Sequence, residues 1–157
     1  MRFLCQTHLD SYADKPDEAL TSTWVDWMYT GGLYYGARKW RKAVPFVGCA
    51  FDLAKLRLKR CDTMNIEAVT QLSLSAVYLS NIFEHLGVSS EACNIRQLAL
   101  EAIENISIAF EGCDRITWSS CKRNLWNAAN DRDFVLRHLN VPFYMPEEAL
   151  RLQMAFH

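Results

Sequence analysis

Residues that make turns are scarce in this chain: 157 residues contain six glycines and four prolines. A sandwich or barrel of many short strands needs more of them, which disfavours an all-β fold. Long apolar runs are missing as well. The longest candidate is bounded by Lys42 and Asp52, well short of the ~18 residues a membrane span requires, so no membrane partner is expected. A formal net charge of −1 removes any whole-protein attraction to nucleic acid or a lipid surface. None of the six cysteines forms Cys-x-x-Cys, and Cys49 and Cys93 fall in helical stretches, as small buried hydrophobes do. Met1–His8 turns polar after five residues and offers no apolar signal segment. A reduced, cytoplasmic, single-domain protein is the expectation.

Catalytic patterns are also wanting. There is no His-Glu-x-x-His, no Gly-x-Ser-x-Gly and no glycine loop to cradle phosphate; Gly31-Gly32 lies within a helical stretch. Cys5-x-x-His8 is half a zinc pattern, and Cys113 and Cys121 are too far apart to complete one. Glu84 and His85 are neighbours on a helix and point about 100° apart. Glu101 and Glu104 share a helix face but lack the Glu-x-x-His of a di-metal site, and His138 and His157 stand alone. A non-enzyme with no cofactor and no metal is expected.

Present instead is helical periodicity with well-placed ends. The hydroxyl cluster Thr21-Ser22-Thr23 predicts a helix start, and the helix runs to Tyr35. Gly36–Lys39 reads as a turn, and a second helix reaches about Arg60, with Pro45 implying a late start or a kink. Asn65 caps a third helix over Ile66–Leu86, Gly87 stops it, and Ser89 opens a fourth reaching about Phe110. The predicted organisation is all-α: a loose or partly helical lead-in over 1–20, hairpins over 21–60, 66–110 and 115–139, and a short last helix within 142–157.

One frame occurs twice. Trp27, Gly31, Tyr34, Ala43, Val47 and Ala50 repeat in spacing as Ala76, Ser80, Phe83, Ala92, Arg96 and Ala99. Small residues hold the second, fourth and sixth places, where two antiparallel helices must approach closely. Trp27-x-x-Thr30-Gly31-x-x-Tyr34, followed by Ala43-x-x-x-Val47-x-x-Ala50, resembles the tetratricopeptide repeat pattern. Ala76-x-x-Leu79-Ser80-x-x-Phe83 with Gly87, Ala92 and Ala99 is a weaker second match. The offset is longer than that family's, no proline closes either unit, and residues 113–141 lack the signature.

The resemblance implies a short right-handed superhelix with a concave groove that holds a peptide or a helix of another protein. Such irregular repeats are common among bacterial regulators and secretion chaperones. The implied groove lining is Val25, Met28, Tyr29, Gly32 and Tyr35, then Tyr78, Asn81, Glu84 and His85. Met28 and Gly32 replace the lysine and asparagine of the subtype that clamps a C-terminal carboxylate. A stack this short also leaves an apolar end to cover, so self-association is a further expectation.

Charge supplies an alternative. Arg38, Lys39, Arg41, Lys42, Lys55, Arg57, Lys59 and Arg60 face Asp52 alone across residues 37–60. With Trp40 and Tyr35 alongside, a basic cluster of this kind permits nucleic-acid contact. It equally suits an acidic protein surface, the Asp10–Asp26 segment of a second copy included.

Overall fold

The computed structural model describes residues 1–60, 65–109 and 122–123; the hairpin expected over 115–139 and the last helix expected within 142–157 lie outside them. Among the described residues the elements are five α-helices and no strand: α1 Gln6–Ala13, α2 Asp17–Gly36, α3 Trp40–Arg60, α4 Ile66–His85 and α5 Ser89–Ala109.

Two ends differ from expectation. The lead-in contains α1, within its partly helical expectation, but α2 starts at Asp17, not Thr21. Pro16 holds an extended conformation just outside α2, and Asp17 and Glu18 set carboxylates against the positive pole of its first turn. The Thr21 and Thr23 hydroxyls do not cap. They donate to the carbonyls of Asp17 and Ala19 one turn back, at 3.1 and 2.8 Å. α3 begins at Trp40 and runs through Pro45 without a late start. Asn65 caps α4 as its sequence implies, its Oδ1 accepting the Ala68 N–H at 3.1 Å.

Every helix boundary in the first hairpin recurs 49 residues later: 17 and 66, 36 and 85, 40 and 89, 60 and 109. The turns match bond for bond. Lys39 N–H donates to Tyr34 O, and Val88 N–H to Phe83 O, both at 2.9 Å. Ala37 and Leu86 N–H donate to Leu33 and Ile82 O at 3.1 and 3.0 Å. This closure puts one residue in the left-handed region, and it is Arg38 in the first turn (φ 55°) and Gly87 in the second (φ 74°). Only the second turn has the residue that adopts this conformation without a Cβ penalty.

From α2 onward each helix packs on the next, so α3 lies between α2 and α4, and α1 rests on α3. The small residues of the duplicated frame sit where helices cross. Gly31, Ser80, Ala43, Ala92, Ala50 and Ala99 are all buried. A Cβ on Gly31 would lie 2.6 Å from Val47 Cγ2, which sets how closely α2 approaches α3. The chain before α1 is anchored on α3. The Phe3 ring covers Gly48, where a Cβ would strike it at 2.3 Å. The buried Asp52 carboxylate accepts the backbone N–H groups of Phe3 and Leu4 at 2.5 and 2.9 Å.

Candidate partner-binding surface

The structure sorts the expected groove residues into an interior group and an exposed one. Tyr35 and Asn81 belong to the interior, at 1% and 3% exposure, which corrects their expected place on a binding surface. The reason is mutual satisfaction across α2 and α4: the Tyr35 hydroxyl donates to Asn81 Oδ1 at 2.6 Å. Rings close around that bond. Tyr35 meets Tyr78 and Trp40 edge-on at 4.7 and 5.2 Å between centroids, and Trp40 stacks on His85 at 4.3 Å with 5° between planes. Tyr78 and His85 are half-buried in this cluster. Glu84 accepts from the Ser89 hydroxyl at 2.6 Å and pairs with Arg96 at 3.4 Å, tying α4 to α5.

The exposed group lies on α2. Val25 and Tyr29 are 50% and 69% exposed, and Leu33, missed by sequence reasoning, is 59% exposed. Spaced by four, they form one apolar stripe about two turns long. Met28 and Gly32 flank it, both half-buried. Among the described residues the other large exposed apolar side chains are Met1, Ile66 and Val88, none of them on α2.

The stripe has counterparts 49 residues on, and there the face is used. Tyr78, counterpart of Tyr29, lies against Tyr35 of α2. Gln71, counterpart of Ser22, accepts from Arg57 of α3 at 2.7 Å. Ile82, counterpart of Leu33, is fully buried. The face that α4 lays on the hairpin before it is therefore exposed on α2.

The basic cluster divides. Lys42 and Lys55 are thirteen helical residues apart, about 20 Å along α3. Arg38, Lys39, Arg41 and Lys42 surround the α2–α3 turn and are exposed. At the far end the cations hold the fold. Arg57, 3% exposed, grips Asp17 through two bonds of 2.7 and 2.5 Å, reaches Glu67 at 3.2 Å, and donates to Gln71. Its guanidinium lowers the Asp17 pKa from 3.8, the hydrogen bond being the main cause, and the carboxylates in turn raise that of Arg57. Arg60 donates to the carbonyls of Lys15 and Tyr12 at 2.9 and 3.4 Å, closing the end of α1. Lys55 is half-buried and Lys59 exposed. The eight cations of the basic cluster thus fall at two separate ends of α3.

Chemistry-bearing groups are few among the described residues, and no three His, Cys, Asp or Glu side chains converge as metal ligands would. Cys5 Sγ and His8 Nδ1 lie 3.0 Å apart on an exposed turn. The half-buried Cys49 thiol has its pKa pushed up, by desolvation first and then by the Asp52 charge. No helix among them is long and apolar enough to cross a membrane. In comparisons with protein-family models, with curated proteins and with solved structures, the chain finds no match.

Proposed function

We propose that this chain is a non-catalytic binding module, a short array of tetratricopeptide-like hairpins that holds a helix of a partner against α2. The observation that carries the reading is the stripe Val25–Tyr29–Leu33, at least half exposed at every position. An apolar face of this length on a charged, well-packed body suits an amphipathic helix, which presents anchors at the same four-residue spacing. Tyr29 is the central anchor: a large, rigid ring with a polar tip. The exact recurrence of hairpin lengths and turn bonds supports an array rather than an unrelated bundle.

The test is site-specific photocrosslinking in native lysate after nuclease treatment. A photoreactive residue at Leu33 should capture a discrete product, and one at exposed Cys93 on α5 should not. Tyr29→Glu should abolish the product while leaving the circular dichroism spectrum intact. Equal capture from both positions would overturn the reading.

A further inference from the structure

Resting on that reading, we propose that the helix held against α2 is α2 of a second copy, laid antiparallel across the first about a two-fold axis at Tyr29. Three independent features fit this occupant. The first is the symmetry of the stripe. With Tyr29 on the axis, Val25 of one copy meets Leu33 of the other, and the reverse contact follows automatically. An apolar residue thus meets an apolar residue at every level of the stripe.

The second is charge. The first turn of α2 carries Asp17 and Glu18, and at its other end the turn into α3 and the first residues of α3 carry Lys39, Arg41 and Lys42. About the same axis, the acidic end of one α2 lies toward the basic end of the other. Glu18, Lys39, Arg41 and Lys42 are exposed and make no ion pair among the described residues. A parallel arrangement would set acid against acid and base against base.

The third is glycine without an internal reason. A Cβ on Gly32 would meet nothing within 4 Å among the described residues, so packing among them does not require this glycine. Within a helix, glycine is less stable than alanine. A second backbone crossing at this flank gives it a function, since only glycine admits so close an approach.

Sedimentation of the purified full chain across the micromolar range tests the proposal. The wild type should shift with concentration from 18.1 kDa to twice that mass. Tyr29→Glu should weaken association by about tenfold or more, as loss of a central anchor does. Glu18→Lys and Arg41→Glu should each weaken it, and the two together should restore it. Gly32→Ala should weaken association while raising the unfolding midpoint, which damage to the fold could not do. A chain that stays at 18.1 kDa throughout overturns the dimer. If crosslinking from Leu33 then captures a different protein, the binding-module reading stands with another occupant. If it captures nothing, both fall.

Discussion

Gly31 and Gly32 are adjacent on α2 yet should respond oppositely to alanine. Each substitution gains helix propensity, about 0.8–1.0 kcal/mol. At Gly32 nothing lies within 4 Å of the new methyl group, so that gain should appear almost whole as stabilisation. At Gly31 the methyl group meets Val47 Cγ2 at 2.6 Å, about 1 Å inside ordinary contact, with Phe46 Cβ and the Val47 nitrogen at 3.4 Å behind it. Val47 is fully buried and α3 is held from both sides, so relief requires moving a helix axis. Overpacking of this kind costs about 1–3 kcal/mol, which leaves Gly31→Ala destabilised by up to about 2 kcal/mol after the propensity gain. The propensity change is identical in the two variants, so they should differ by the overpacking cost, about 1–3 kcal/mol. Urea denaturation read by circular dichroism, at a concentration low enough to keep the chain monomeric, measures both. Val47→Ala should be less harmful in the Gly31→Ala background than alone, by about 1 kcal/mol or more. If the two glycine variants shift the midpoint in the same direction, the close crossing at Gly31 is refuted.

Other consequences can be checked as directly. Arg38→Gly should stabilise the chain by about 0.5–1 kcal/mol in thermal unfolding, because it gives the first turn the residue that the second already has at φ 74°. The Asp17 carboxylate has a lowered pKa in the folded chain, so its contribution to stability is complete above its unfolded pKa near 3.8 and is lost as pH falls through the lower folded value. Asp17→Asn should flatten the acid limb of a stability–pH profile, and an unchanged limb would count against the Arg57 pair. Asp52→Ala removes the acceptor of the Phe3 and Leu4 N–H groups, and limited proteolysis should then cut the first five residues faster than in the wild type.

Much of the fold was legible because its determinants are local or periodic. Asn65 and Gly87 carry their helix ends in single side chains, and the small residues of the frame mark where helices cross. Three hydroxyl residues resemble a cap and shift the expected start of α2 to Thr21. The better signal is Pro16 followed by two carboxylates, which favours a first turn through geometry and dipole together. The candidate surface was harder. α2 is apolar around much of its circumference, so periodicity alone does not say which side meets solvent. Tyr29 and Tyr35 read alike in sequence, and the presence of Asn81 forty-six residues beyond Tyr35 separates them. Arg57 reads in sequence as one of a run of cations, since its partners Asp17 and Glu67 lie forty and ten residues away in the chain.

The equal lengths of the two hairpins, 20 and 21 helical residues joined by three, make the molecule a graduated scale. Any position in one unit has a defined twin in the other, so each hairpin is a tested template for editing its neighbour. A further 49-residue unit inserted between residues 65 and 66 would enter in phase with both flanks. Its own α2-type face would then be covered as that of α4 is, and the array would lengthen without a new joint having to be devised.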